Sequence, residues 1–228
     1  MSLVETLMPY SVEGFLAPDE LDRVVQLMDA YKASVKATRL QAGATGFSIH
    51  KSTNKSVEEV VAAFEPAGRL EVNWGDIPRE AIDIVETAFF RRIEDIRRAY
   101  PSAYGPYGFT YVEYGPDQYF TAHVDGVSTT QVAGFGVTLT SDFEGGEFCV
   151  ETCGSGRLWA DGPGGKPMVA PGADSQSAWY RALPRTTWTT TCERGKAIFY
   201  GSGLTHSSKP VRSGVLRKLL AFISSDRG

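Results

Sequence analysis

The apolar positions change period partway along the chain. Leu21, Val24, Val25, Met28 and Tyr31 recur at three- and four-residue intervals, the stripe of an amphipathic helix. Pro18, Asp19 and Glu20 stand where a fixed φ and negative charge suit a helix N-terminus, and the pattern ends near Ser34. A second stripe, Ile82, Val85, Phe89, Ile93 and Ile96, predicts one helix over 78–100, opened by Pro78 and stopped by Pro101. Its other face carries Arg91, Arg92, Glu94, Arg97 and Arg98, a solvated side with i,i+4 pairing and not a binding patch. Residues 11–17 read as an extended lead-in. A short helix over 57–64 and strands near 47–50 and 71–74 are expected between the two long helices.

After Pro101 the period shortens. Residues 109–113 alternate aromatic and β-branched side chains, 131–140 are rich in Val, Thr and Phe, 186–191 are nearly all Thr, and 197–200 and 216–223 are short apolar runs. Glycine and proline punctuate them throughout, as expected of many short strands. Helices first and strands second predict an α+β, mainly β chain with helices packed on one face of a sandwich. No linker or repeat divides it, so one domain over 1–228 is expected, helical in 1–108 and β in 109–228.

Composition narrows the chemistry without choosing it. Hydrophobic residues make up 42% and charged residues 22%, ordinary for a globular chain. A formal charge of −4 leaves no basic footprint for nucleic acid. The three cysteines, Cys149, Cys153 and Cys192, suit small apolar roles in a reducing compartment. There is no signal-like N-terminus and no apolar run long enough to span a bilayer. A cytoplasmic protein without membrane or nucleic-acid partners is the expectation.

The stretch 114–125 carries the chemistry. It ends in His123-Val124-Asp125, and residues two apart on a strand share a face. An imidazole beside a carboxylate needs one more histidine to form the facial triad that leaves coordination positions open on iron(II). The chain has only three histidines. His50 has no carboxylate two residues away and reads as a loop or surface residue, which leaves His206. A His-x-Asp pair alone is common and can be chemically idle.

The flanking segments add specificity. Tyr114-Gly115-Pro116 precedes His123-Val124-Asp125. Phe143-Glu144-Gly145-Gly146-Glu147-Phe148 follows, then Gly195-Lys196-Ala197-Ile198-Phe199-Tyr200, then His206 with Pro210-Val211, Gly214 and Arg217. In this order they resemble the Fe(II)- and 2-oxoglutarate-dependent dioxygenases, in particular the prolyl-4-hydroxylase-like group. Gly14-Phe15-Leu16-Ala17-Pro18-Asp19-Glu20-Leu21 is similar to that family's N-terminal segment. The paired glycines also suit a tight turn between sandwich strands.

The resemblance implies a double-stranded β-helix, a jelly-roll form. It implies iron(II) held by His123, Asp125 and His206, with 2-oxoglutarate and dioxygen as cosubstrates and ascorbate as an accessory reductant. It also implies a basic residue gripping the distal carboxylate of 2-oxoglutarate. Arg217 is the choice, because a guanidinium matches a carboxylate bidentately. It departs from the family spacing, which falls one position earlier, at Leu216; a connection longer by one residue would account for that. Lys218 and Arg212 are the alternatives, and Lys218 would face the opposite way from Arg217. Tyr114 matches a position whose hydroxyl helps hold the same carboxylate, or is an ordinary core tyrosine. Asp125 disfavours halogenation, which in related enzymes uses the place of the missing carboxylate.

The insertion over 151–194 is rich in glycine and proline and holds three of the four tryptophans. A loop this long is usually functional or disordered. It reads as a lid with Trp179 or Trp159 closing on substrate, or as a hairpin whose tryptophans pack on the barrel; Trp188 reads as core. The expected substrate is a free amino acid, a small peptide or a natural-product intermediate. A peptidyl-prolyl hydroxylase and a non-catalytic metal- or oxoacid-binding jelly roll are the competing readings.

Overall fold

The computed structural model describes residues 1–35, 56, 58–59, 62, 67–125, 130–152, 159–161, 167–169, 178 and 182–225. The strand and helix anticipated near 47–50 and 57–64, with His50, fall wholly or largely outside them. So do Trp179 and most of the insertion.

The elements in chain order are α1 (Leu3–Thr6), β1 (Pro9–Val12), α2 (Pro18–Ser34), β2 (Leu70–Asn73), α3 (Arg79–Arg91), α4 (Ile93–Ala99), β3 (Gly105–Tyr114), β4 (Phe120–His123), β5 (Gln131–Thr138), β6 (Phe143–Gly145), β7 (Phe148–Thr152), β8 (Trp159–Asp161), β9 (Pro167–Val169), β10 (Thr186–Thr190), β11 (Ala197–Gly201), β12 (Thr205–Ser208), β13 (Val211–Gly214) and β14 (Leu216–Ser224). Helix α2 keeps the limits its stripe predicts, and Leu21, Val24 and Met28 are its buried face. Glu20 accepts from Ala17 N at 2.8 Å and takes a bidentate bond from Arg91 of α3. Arg91 therefore staples two helices, although it was expected only to face solvent. The helix expected over 78–100 is interrupted at Arg92, whose φ of −107° and ψ of 10° leave the helical region. Ile96 is still buried, so the apolar stripe survives the break.

Two antiparallel sheets face each other. The larger has the order β1-β11-β5-β14-β3-β2 and the smaller β10-β7-β12-β4; β13–β6 and β8–β9 form separate pairs. This is the mainly β sandwich with helices on one side that the pattern predicts. Phe135, Val137, Phe199, Leu219, Ala221 and Tyr111 form one face of the larger sheet and pack with α2, α3 and Phe15. Val112, Tyr114, Ile198, Tyr200 and Leu216 form the other and meet Phe120, Phe148 and Val150 of the smaller sheet. Strand β5 is buried along its whole length, because it lies between helices on one side and the second sheet on the other. That explains its continuous apolar run where an alternating pattern would mark a half-exposed strand.

Trp188 departs from its expected core position. Strand β10 is an edge of the smaller sheet, and Trp188 is 64% exposed.

Candidate active site

The smaller sheet brings the distant histidines together. His206 on β12 lies directly opposite His123 at the end of β4, and their rings are 4.2 Å apart. Asp125 follows β4 by two residues. Its Oδ1 is 3.4 Å from His123 Nε2 and 3.8 Å from His206 Nε2. One ligand atom from each of the three lies within 4.8 Å of the others. Adjacent ligands about 2.1 Å from a metal lie roughly 3 Å apart, so a small contraction would close this set around an ion.

The surroundings suit ligation. His123 Nδ1 faces the Thr121 carbonyl at 2.9 Å and His206 Nδ1 the Leu204 carbonyl at 3.1 Å. Donation to those carbonyls leaves each Nε2 as the lone-pair nitrogen and fixes the ring. Burial, with His123 alongside, lowers the His206 pKa to about 4, so this imidazole is neutral at pH 7. Burial pushes the Asp125 carboxyl up, but His206, His123 and the Tyr200 hydroxyl outweigh it and hold the carboxyl below its ordinary value. Asp125 Oδ2 is buried with no hydrogen-bond partner among the described residues. A buried, unpartnered carboxylate oxygen is costly unless something occupies it, and a cation at the triad would do so.

The triad lines a cavity that opens to solvent. Phe120, Phe148, Ile198, Leu220 and Phe222 give it apolar walls, while Arg69, Tyr114 and Lys218 contribute polar groups. Tyr200 is pressed between His206, at 4.1 Å between ring centroids, and β5. Gly134 makes that possible, because a Cβ there would lie 2.7 Å from the Tyr200 ring.

Arg217 does not face this cavity. Leu216 pairs with Tyr114, Arg217 with Glu113, and Lys218 with Val112. The strand period then sends Leu216, Tyr114 and Lys218 to the cavity side and Arg217 to the helix side. There Arg217 binds Asp29 at 2.9 Å and approaches Glu113 at 3.4 Å. The expectation of a longer connection is thereby corrected, since Leu216 is itself the inward position. Lys218 lines the cavity, is 5% exposed, and has no hydrogen bond or carboxylate partner among the described residues. Its ammonium lies 5.9 Å from the Phe148 ring centre. Arg212, the other alternative, pairs with Glu147 on the surface. Trp159 lies in the β8–β9 pair of the insertion.

Arg69 was not anticipated from the sequence. It is buried immediately before β2, its guanidinium donates to the Tyr114 hydroxyl, and it binds Glu71 at 2.7 Å. Arg69-Leu70-Glu71 does carry a signal: opposite charges two apart in a strand share a face.

Neither a protein-family model nor a curated protein matches the chain. Solved structures do match in fold. A Pseudomonas putida prolyl-4-hydroxylase aligns over 99% of this chain and 96% of its own, with a TM-score of 0.59 at 12% identity. A Trichoplax adhaerens prolyl hydroxylase, solved with a hypoxia inducible factor peptide fragment, aligns over 97% and 86%, with a TM-score of 0.60 at 10% identity. The epimerase SnoN of nogalamycin biosynthesis, solved with Fe3+, α-ketoglutarate and nogalamycin RO, aligns over 96% and 79%, with a TM-score of 0.58 at 14% identity. The architecture of this chain is thus the jelly-roll, double-stranded β-helix fold of the 2-oxoglutarate- and Fe(II)-dependent oxygenases.

Proposed function

We propose that the chain is an Fe(II)- and 2-oxoglutarate-dependent oxygenase that hydroxylates an unactivated C–H bond of a small molecule. One observation carries this reading: a buried His-Asp-His set and two donors without anionic partners, Lys218 and Tyr114, share a single cavity. His123, Asp125 and His206 would hold the metal. Bound there with 2-oxoglutarate and dioxygen, iron(II) supplies C–H hydroxylation coupled to decarboxylation of the cosubstrate to succinate and carbon dioxide.

The chain's own residues would position the reactants. Leu216 lies opposite Tyr114, so Lys218 is its diagonal neighbour on the same face, a separation of about 7–8 Å that long side chains bridge. One carboxylate between them would accept from both. The ammonium compensates its charge, and the Tyr114 hydroxyl fixes its orientation. Phe120, Phe148, Ile198 and Leu220 exclude water from the remaining space, which strengthens each polar contact inside. Trp159 and Trp179 are proposed to border substrate from the insertion, and residues 1–228 to form one oxygenase domain.

The substrate class is the finer part of the proposal. Oxygen-dependent succinate formation should be measured across amino acids, small metabolites and proline-containing peptides. Stimulation by a small molecule supports the reading; stimulation by peptides alone makes the chain a peptidyl hydroxylase. A protein that binds iron(II) and 2-oxoglutarate but forms no succinate with any of them is a binding protein and refutes the enzymatic proposal.

A further inference from the structure

Strand β4, which carries His123 and leads to Asp125, is an edge of the smaller sheet, and among the described residues its ladder partner is β12 alone. Support from the larger sheet comes through Arg69. Its guanidinium lies 4.4 Å from the Phe120 ring centre on β4, and Phe120 packs edge-on at 4.5 Å from the His123 ring. Glu71, whose side chain is fully buried, holds the other side of the guanidinium at 2.7 Å. Arg69 also donates to the Tyr114 hydroxyl.

The direction of that last bond matters. An arginine has donors and no acceptor, whereas a phenol can do both. Once the Tyr114 oxygen accepts from Arg69, its own O–H has no acceptor among the described residues, and Tyr114 lines the cavity. A donated bond also polarises the phenol, making it the better donor. Arg69 carries a full charge already matched by Glu71, so it adds little net attraction of its own.

We infer that Arg69, clamped by Glu71, is a positioning residue that aims and strengthens the Tyr114 hydroxyl as a donor to the distal carboxylate of the cosubstrate. The inference rests on the oxygenase reading above and assigns to the buried pair a role in carboxylate selection. It predicts a specific energetic coupling: Arg69 should matter for a keto acid with a distal carboxylate, and only while Tyr114 has its hydroxyl.

The test uses the full chain loaded anaerobically with Fe(II), and titrates 2-oxoglutarate and 2-oxopentanoate, which keeps the keto acid and lacks the distal carboxylate. R69M alone strands Glu71, so R69M/E71M is the main variant, because a buried ion pair can be exchanged for apolar residues with little loss of fold. The expected result is a Kd for 2-oxoglutarate raised about tenfold, the scale of one charge-assisted hydrogen bond. Affinity for 2-oxopentanoate should be unchanged, and Y114F should abolish the effect of R69M/E71M. Equal weakening for both keto acids would mean a merely structural pair and overturn the inference. So would wild-type affinity for 2-oxoglutarate in the variant, or additive losses with Y114F. If the wild-type protein itself binds no 2-oxoglutarate, the oxygenase reading fails with it; if only the variant comparison fails, that reading stands.

Discussion

Replacing Lys218 by Met should remove 2-oxoglutarate binding while leaving the fold intact; replacing Arg217 by Met should leave both the binding and the fold intact. The two residues are adjacent, of like charge, and on opposite faces of β14. Lys218 is 5% exposed with no carboxylate partner among the described residues. At about 3 Å and an effective dielectric constant near 20, an ammonium and a carboxylate attract by roughly 5 kcal/mol before desolvation. Truncating one partner of such a buried pair costs about 2–5 kcal/mol, so Kd should rise about 30-fold or more. Without cosubstrate the same change removes an uncompensated buried charge, so the melting temperature should hold or rise. Arg217 binds Asp29, a half-exposed carboxylate, at 2.9 Å, and such pairs contribute at most about 1 kcal/mol. Its replacement should leave Kd within about twofold. Titration of 2-oxoglutarate into each anaerobic Fe(II)-loaded variant measures both values. Lost affinity in R217M with affinity kept in K218M would refute the strand-parity argument.

Three further outcomes follow from the same geometry. Fe(II) at a hundred times its Kd should stabilise the wild-type protein by about 2.7 kcal/mol, and Asp125→Ala should abolish the melting shift that anaerobic scanning calorimetry records. Gly145→Ala should cost about 3 kcal/mol or more, a drop of about 6 °C or more in Tm. Gly145 has a φ of 84°, and a Cβ there would lie 2.5 Å from the Pro210 carbonyl oxygen and 2.8 Å from Arg212 N. Glu5 is buried and accepts from Ser2 N at 2.6 Å, Ser102 N at 2.7 Å and Ser102 Oγ at 2.6 Å; burial raises its pKa, but these bonds outweigh it and the net shift is downward from 4.5. Its stabilisation is therefore complete above the unfolded-state pKa and lost as pH falls through the lower folded-state value. Glu5→Ala should cost about 1–3 kcal/mol at pH 7, with a smaller difference from wild type in acid melts.

What the sequence made legible was mostly periodic. The stripe from Leu21 to Met28 located α2, and the shift to short apolar runs after Pro101 located the strands. The histidine scarcity led to His206, which the sheet register sets opposite His123. Parity was harder to read. Whether Arg217 or Lys218 faces the cavity depends on where β14 pairs with β3, and a one-residue slip reverses every side chain. Leu216, apolar and inward, looked like a vacant anchor position when it was in fact a wall of the cavity-side core. Trp188 failed for a related reason: size and aromaticity suggest burial, but only the sheet order shows that β10 is an edge. Arg69 was missed because its partners, Tyr114 and Phe120, are distant in sequence.

The account's central claim is that His123, Asp125 and His206 hold iron(II) in the cavity where Lys218 and Tyr114 receive 2-oxoglutarate. Anaerobic addition of Fe(II) and 2-oxoglutarate, followed by visible absorption spectroscopy, tests this most directly. A weak metal-to-ligand charge-transfer band in the wild-type protein, absent in His123→Ala, is the expected result. No band in the folded wild-type protein, together with full iron retention by His123→Ala, would contradict it.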